Sequence, residues 1–149
     1  MCGGIYLLQI DLMLGNQYQF IGDPVLLQDG FLRNFHLKPS RIAHRTYHSP
    51  MMQNSSGRFG YKINNKRIIH INQSYRYDSL APPLQADVVI VSGNPRLFIN
   101  DLLKTINCKL LVFDSSNPQW KVNLWKKDCE RLQRNYFCTS EQGAFVMNL

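Results

Sequence analysis

The 149-residue sequence contains no apolar run that approaches the roughly 20 residues needed for a membrane-spanning helix. No positively charged segment precedes an apolar stretch near Met1, so a secretory signal is not visible. The sequence also has only four cysteines, and none of them has the spacing of metal ligands. We predict that Cys2, Cys108, Cys129 and Cys138 are mostly buried, reduced thiols, although their even number leaves disulfides open.

Acidic residues are missing between Asp29 and Asp78, whereas that segment contains nine basic residues and all four histidines. It carries a formal charge of +9, and the rest of the chain, with eight basic and ten acidic residues, carries −2. Aromatic residues are interleaved there, and basic and aromatic side chains together can bind phosphates and stack on bases. A solvated surface whose aromatic residues pack in the core is the alternative. The predicted nucleic-acid-binding residues are Arg41, Arg45, Arg58, Lys62, Lys66 and Arg67.

Residues 87–132 are typical of a strand, a helix, a second strand and a second helix. Asp87–Val91 and Lys109–Phe113 are short apolar runs of the kind found in strands buried on both faces. Between them, the apolar residues with nearly helical spacing are Leu97, Leu102, Leu103 and Ile106. Two strands joined by a helix of this length pair in parallel through a right-handed crossover. The predicted fold class is therefore α/β, with a mixed sheet that includes a βαβ crossover.

The second helix has one apolar stripe, because its apolar residues recur at steps of three and four positions. These residues are Val122, Trp125, Cys129, Leu132 and Tyr136. We expect Ser116 or Asn117 to cap the start of this helix, with Pro118 close to its first turn.

The rest of the chain predicts further strands, turns and one helix. Gly15-Asn16 is expected to join strands over Ile5–Leu14 and Gln17–Ile21, and Asn64-Asn65 to join strands over Arg58–Ile63 and Lys66–Ile71. The other predicted elements are a helix over Val25–Phe35, a strand over Arg41–Tyr47, and final strands over Asn135–Cys138 and Ala144–Leu149. We predict a single domain over residues 1–149, with an N-terminal hairpin and helix portion of about 5–71 and a C-terminal βαβαββ portion of about 86–149.

Two polar loops follow the predicted strands, at the carboxyl ends where ligands usually bind in parallel sheets. Neither loop contains His, Cys or Glu, and Asp114 is their only carboxylate, which is a poor set for metal or acid–base chemistry. We therefore predict no catalytic residue, no metal and no cofactor, and we favour turns and helix caps over a catalytic cleft. The candidate cleft residues are Ser92, Asn94, Asp114 and Asn117.

The histidines give little support for a metal site. His44 and His48 are four residues apart, but they lie in an extended segment where this spacing does not form a fixed bidentate site. His70 lies in a predicted strand, and we expect it to face solvent.

A family resemblance is carried by three stretches of the C-terminal half: ADVVIVSGNP, INDLLKTINCKLLVFDSSNPQWKVNLWKKDCERL and YFCTSEQGAFVMNL. Their order resembles the C-terminal soluble domain of the ComEC family of competence proteins, which are polytopic membrane proteins implicated in moving single-stranded DNA into bacteria. The earlier stretch NQYQFIGDPVLLQDGFLRNFHLKPSRI is similar to the Bacteroidetes type of that domain. The resemblance therefore covers nearly the whole chain.

The resemblance implies a shortened metallo-β-lactamase-like αββα domain, whose active relatives hydrolyse substrates at a two-metal centre. It also implies that this centre is degenerate, because the HxHxDH motif does not occur here. The His-rich turn of active relatives corresponds to Ser92–Arg96, their second His-containing loop to Asn117–Trp120, and their bridging Asp to Asn72-Gln73. Without such ligands a di-metal site that activates water cannot form.

Three functional hypotheses follow. The first is a non-catalytic module of a DNA-uptake membrane protein that contacts single-stranded DNA or a partner through the basic segment. The second is a hydrolase or nuclease with an unrecognised site near Asp114, Asn94 and His70, and the third is a purely structural interaction domain. The resemblance implies a soluble segment joined to the transmembrane part of an inner-membrane protein, on either side of the membrane. The opening Met1-Cys-Gly-Gly is unlike a natural domain start and indicates a fragment of such a protein.

Overall fold

The computed structural model describes residues 9–14, 17–22, 47–48, 60–63, 65–74 and 82–148. The chain divides into two compact units, Met1–Gln53 and Asn54–Leu149. The predicted helix over Val25–Phe35 lies outside the described residues, as do Cys2 and most of the predicted strand over Arg41–Tyr47. The single domain over residues 1–149 stays a prediction.

The first unit contains a small sheet of three strands in the order β1-β2-β3. β1 (Gln9–Leu14) pairs with β2 (Gln17–Gly22) in antiparallel register, from Gln9 opposite Gly22 to Leu14 opposite Gln17. β3 (Tyr47–His48) pairs with β2 in parallel. The hairpin predicted from the Gly-Asn turn is therefore confirmed.

The second unit contains a five-stranded sheet in which spatial order follows chain order. Its strands are β4 (Gly60–Ile63), β5 (Lys66–Ile71), β6 (Leu84–Val91), β7 (Ile106–Phe113) and β8 (Tyr136–Cys138). β4 is antiparallel to β5, and the other three pairings are parallel, which confirms the α/β class and the mixed sheet. The second hairpin, which we had grouped with the N-terminal portion, joins the sheet of the later strands.

The turn between β4 and β5 uses a left-handed backbone. Asn65 has φ 66°, a conformation that asparagine tolerates better than most residues because its side chain is short and polar. This turn places Ile63 opposite Lys66 and Lys62 opposite Arg67, so the Asn64-Asn65 prediction is confirmed.

The described part of this unit has three helices, each of which follows one strand. They are α1 (Ile99–Thr105) after β6, α2 (Gln119–Arg131) after β7 and α3 (Thr139–Gln142) after β8. The inner face of α2 buries Val122, Trp125 and Cys129, as its apolar stripe predicts. The ring centroids of Trp125 and Phe113 lie 5.4 Å apart, within the range of favourable aromatic pairs. The core of this unit therefore forms where α1 and α2 pack on β5, β6 and β7.

The central strand β6 is buried on both faces, as its unbroken apolar run predicts. Val89 and Val91 belong to the core under the helices, while Val88 and Ile90, which alternate with them, are buried as well. The cysteines among the described residues, Cys108, Cys129 and Cys138, are buried free thiols, as predicted. Among the described residues, no helix is long and apolar enough to cross a membrane.

Two boundaries predicted around the helices are wrong. Ile106 begins β7 instead of ending α1, because the helix stops after seven residues. Tyr136 lies in β8 instead of on α2, because the chain leaves the helix at Leu132 and Gln133 adopts a left-handed φ of 52°. The stripe of α2 thus ends at Cys129, with Leu132 half-buried after it.

The strand predicted over Ala144–Leu149 is also wrong for residues 144–148, so the C-terminal portion ends in helix α3 and an irregular tail. The exposure of this segment does alternate, and the ring of Phe145 packs at 5.2 Å from that of Phe137. However, no described strand pairs with residues 144–148. Helix α3 follows β8 directly, and Gln142 Oε1 of this helix accepts the backbone N–H of Cys138. Alternation alone therefore predicted the side-chain pattern but not the pairing.

Candidate functional site

The carboxyl ends of β5, β6 and β7 meet at one edge of the sheet. Ser92 N donates to Ile71 O at 2.9 Å, and Asp114 N donates to Val91 O at 3.2 Å, so the ladder continues one residue past each strand. Parallel register therefore brings Ser92 and Asp114 together, as the candidate cleft requires.

His70, predicted to face solvent, is instead buried, with 7% of its surface exposed. Its Nε2 lies 2.6 Å from Ser92 Oγ, and Ser92 is only 1% exposed. Burial lowers the pKa of His70 below its ordinary value of 6.5, because desolvation disfavours the charged imidazolium. The imidazole is therefore neutral at pH 7 and forms a buried hydrogen bond with the serine hydroxyl.

This burial makes the stability of the chain depend on pH. Because the folded-state pKa of His70 is depressed, its contribution is fully present above pH 6.5 and is lost as pH falls through the folded pKa. We expect the free energy of unfolding to fall between pH 7.5 and pH 5, and to fall less in His70→Gln. Urea unfolding followed at several pH values measures both slopes. The other histidines are common to both proteins, so parallel slopes would contradict this role of His70.

Asp114 organises the loop that follows β7. Its Oδ1 accepts the backbone N–H of Ser116 at 3.1 Å, the Ser116 hydroxyl, and one N–H of the Asn117 side chain at 3.2 Å. The Asn117 amide also donates to Val91 O at 2.8 Å and to Asp114 O at 3.0 Å. The carboxylate is thus engaged with its own loop in a largely buried position.

The loop after β6 is tied to this network by two backbone N–H groups. Gly93 N donates to Ser116 Oγ at 2.7 Å, and Asn94 N donates to Asn117 Oδ1 at 3.0 Å. Gly93 has φ 70°, and a Cβ there would lie 3.2 Å from Asn72 O, so glycine fits both the backbone and the close approach. The two strand-end loops are therefore locked to each other.

These bonds also explain why the predicted helix cap is wrong. The N-cap of α2 is Pro118, and no side chain caps its first turn. Ser116 and Asn117 were the expected caps, but their side chains bind Gly93, Asp114 and Val91 instead.

Sequence reasoning left Ser116 and Lys121 out of this site, and it expected His70 to face solvent although the hydrolase hypothesis placed His70 near Asp114 and Asn94. Lys121 Nζ donates to Asn94 Oδ1 at 2.8 Å and to Pro95 O at 2.7 Å, which ties α2 to the β6 loop. The burial of His70 had a usable sequence signal, because apolar residues surround it in Ile68–Ile71 and such runs indicate strands buried on both faces. No sequence signal pairs Lys121 with Asn94, since they lie 27 residues apart.

The strand ends offer neutral hydrogen-bonding groups around one carboxylate, with the Lys121 ammonium at the β6 loop. Within the part of the chain that the structure describes, no three residues of the types His, Cys, Asp and Glu are placed to hold a metal ion. The four candidate cleft residues lie close together, and they bond to one another, to backbone and to the neighbouring side chains of His70, Ser116 and Lys121. This arrangement corresponds to interlocked turns.

A second candidate site is the basic hairpin, which we define as Lys62, Lys66 and Arg67 of β4 and β5. Lys62 and Arg67 are exposed and directly opposite each other, and Lys66 is half-buried beside them. The other predicted nucleic-acid-binding residues, Arg41, Arg45 and Arg58, lie outside the described residues.

The acidic residue nearest the basic hairpin in the described chain is Asp87, and it is already engaged. Its Oδ1 accepts Lys109 Nζ at 2.7 Å, and its Oδ2 accepts the backbone N–H of Arg67 at 2.9 Å. These hydrogen bonds, with the charges of Lys109 and Lys66, lower the pKa of Asp87, so it stays ionised. One carboxylate therefore faces several cations, and the positive charge around the hairpin is only partly offset.

These features define an α/β domain with a largely parallel sheet, interlocked strand-end loops and a basic hairpin at one side of the sheet. The family whose sequence model matches the chain is the ComEC C-terminal domain, over residues 8–149, and the chain belongs to that family. Membership confirms the resemblance to the ComEC C-terminal domain and links the chain to DNA uptake and to a membrane protein, while the Bacteroidetes type and the metallo-β-lactamase-like fold stay predictions. Comparisons with curated proteins and with solved structures find no match.

Proposed function

We propose that this domain contacts single-stranded DNA through a basic surface that includes the basic hairpin, and that it does so without hydrolysing it. The observation that carries the proposal is the opposed pair of Lys62 and Arg67. Like charges directly opposite on an antiparallel ladder destabilise it, and phosphate groups bound between them would remove that cost.

Charge distribution supports the same surface. The hairpin lies in the Asp29–Asp78 segment, which contains nine basic and no internal acidic residues. A surface of this kind raises the local concentration of a polyanion and releases counterions when it binds one. Family membership, which links the chain to DNA uptake, favours DNA as that polyanion.

The non-catalytic part of the proposal is that the domain is a degenerate member of the metallo-β-lactamase-like fold. Its support is the composition of the strand-end loops, where Ser92, Asn94 and Asn117 occupy positions at which active relatives would carry metal ligands. Their side chains or backbone bind neighbouring loops, so these residues are used in packing and turn formation.

The experiment is a fluorescence anisotropy titration of a labelled single-stranded oligonucleotide with the 149-residue chain at several salt concentrations. We expect micromolar or tighter binding at low salt, with the logarithm of affinity falling linearly with the logarithm of salt concentration. The same mixtures, incubated with Mg²⁺, Mn²⁺ or Zn²⁺, should leave the oligonucleotide intact. Binding that ignores salt, or none at micromolar protein, contradicts the DNA-contact proposal.

A hydrolase with a site near Asp114 is the second candidate, and the contact between His70 and Ser92 is the observation in its favour. Metal-dependent cleavage of DNA that is lost in Asp114→Asn would establish it. Against it, Ser92 is almost fully buried, and Asp114 Oδ1 accepts bonds from Ser116 and Asn117 of its own loop. We therefore expect the original protein and Asp114→Asn to cleave DNA equally, at background level.

A further inference from the structure

The outer face of α2 carries apolar side chains that the core does not use. Trp120 and Leu124 are 65% and 53% exposed, and they are adjacent on the helix surface because they are four residues apart. The inner face is complete without them, since Val122, Trp125 and Cys129 fill it. An exposed Trp–Leu pair is therefore surplus to the packing of this unit.

A third exposed apolar side chain lies at the same end of the helices. Phe98, which is 72% exposed, precedes α1. The start of α2 lies against the loop that carries Phe98, because Lys121 Nζ donates to Pro95 O and Trp125 Nε1 donates to Leu97 O. Both exposed aromatic residues therefore lie near the helix starts, at the edge of the sheet where β6 and β7 end.

Cations accompany these side chains. Arg96 is exposed in the same loop, and its charge, after desolvation, contributes to lowering the pKa of Lys121. Lys127 lies seven residues after Trp120, on the same outer face of α2. Neither the Arg96 nor the Lys127 side chain forms an ion pair or hydrogen bond with another residue that the structure describes. We call Arg96, Phe98, Trp120, Leu124 and Lys127 the outer patch.

We propose that the outer patch rests on the headgroup region of an anionic lipid surface. Aromatic residues are enriched at that depth of a bilayer, where an amphipathic Trp ring contacts both water and acyl chains. Helix faces that combine Trp, Phe or Leu with Lys or Arg bind such surfaces through apolar burial and attraction to anionic lipids. Leu124 favours lipid over nucleic acid here, because an aliphatic side chain has no ring on which a base can stack. The family's link to a membrane protein makes a bilayer a relevant partner.

The test is cosedimentation of the 149-residue chain with vesicles of phosphatidylcholine alone or mixed with phosphatidylglycerol. We expect binding to the mixed vesicles that weakens with salt, and about tenfold weaker binding for Trp120→Ala combined with Leu124→Ala. Arg96→Gln with Lys127→Gln should lose most of the preference for anionic lipid. The emission of Trp120 should shift to shorter wavelength on binding, a shift absent from Trp120→Phe because Trp125 is already buried.

Matched controls are available elsewhere on the chain. Leu84 and Val146 are exposed apolar residues outside the outer patch, and Leu84→Ala with Val146→Ala should bind vesicles within twofold of the original protein. Lys104→Gln with Arg134→Gln is the corresponding control for two charges, since both cations are exposed and lie outside the outer patch.

Three results would overturn the proposal. The first is no binding to the mixed vesicles, and the second is equal losses in the Trp120/Leu124 variant and the Leu84/Val146 control. The third is loss of DNA binding or of self-association in Trp120→Ala with vesicle binding unchanged, which would assign the patch to another partner. Because this surface differs from the basic hairpin, variants of Lys62, Lys66 and Arg67 should bind vesicles normally, and the two proposals can fail independently.

Discussion

Replacement of Lys62, Lys66 and Arg67 by alanine is expected to remove most of the affinity for single-stranded DNA. The salt slope is the slope of the logarithm of affinity against the logarithm of salt concentration, and each phosphate contact on a single strand contributes about 0.7 to it. Loss of three contacts should therefore lower the slope by about 2 and the affinity by roughly 100-fold at about 0.1 M salt. Anisotropy titrations at four or more salt concentrations measure both quantities for the variant and the original protein.

The control must remove the same charge from another surface. Lys104→Ala, Arg131→Ala and Arg134→Ala together remove three exposed cations from helix ends and the loop before β8, and so lower the net charge of +7 by the same amount. We expect this control to change affinity much less than the hairpin variant does. Equal losses in the two proteins would mean that net charge, and not the basic hairpin, determines binding.

A further test concerns the rest of the basic segment. Arg41 and Arg45 belong to the same basic segment, and the combined alanine variant of Arg41, Arg45, Lys62 and Lys66 should lose most binding as well. If this variant retained binding while the variant of Lys62, Lys66 and Arg67 lost it, the contact would be restricted to Arg67 and its neighbours.

The largest loss of stability among the polar residues is expected for Asn117→Ala. This change deletes one of the two donors to Val91 O and to Asp114 O, which keep backbone donors, and it deletes the acceptor of Asn94 N. Each lost hydrogen bond costs about 0.5–1.5 kcal/mol, so we expect the three losses together to lower the free energy of unfolding by about 3 kcal/mol. Urea unfolding monitored by circular dichroism measures it.

Two variants sharpen this test. Asn123→Ala removes an exposed asparagine that accepts one bond from Gln119, and we expect a change within about 0.5 kcal/mol. Asn117→Asp keeps the shape and the acceptor for Asn94 N, but it replaces the amide donor with an oxygen beside Asp114 Oδ1. We expect it to be destabilised, because two carboxyl groups would then lie side by side in a buried position. An Asn117→Ala protein as stable as the original would mean that the strand-end loops are not held by this amide.

Much of the second unit could be predicted from local patterns. The run Asp87–Val91 predicts a strand buried on both faces because every position in it is apolar after the first, and the stripe of α2 predicts which side chains enter the core. The hairpin at Asn64-Asn65 follows from turn residues that tolerate a left-handed backbone. These are properties of neighbours in the chain, so no knowledge of the sheet is needed to find them.

The strand-end site was predictable only in outline. Parallel register brings Ser92 and Asp114 together, but which of their neighbours they bind depends on loops 22 to 26 residues apart. The same limit explains the wrong cap. A serine or asparagine before a helix can bind its own helix or a distant loop, and here the Asn117 amide donates to the distant, buried carbonyl of Val91. His70 was misplaced because a lone polar residue suggests solvent, although its apolar neighbours indicated burial.

The arrangement of strands has a consequence for self-association. Among the described strands, the borders of the five-stranded sheet are β4, with four residues, and β8, with three. Short borders that carry lysine discourage pairing with a second molecule, because few backbone groups are offered and like charges repel. Lys62 places a charge on one border of the described sheet, so the side chain that we propose for phosphate contact would also disfavour aggregation through this border.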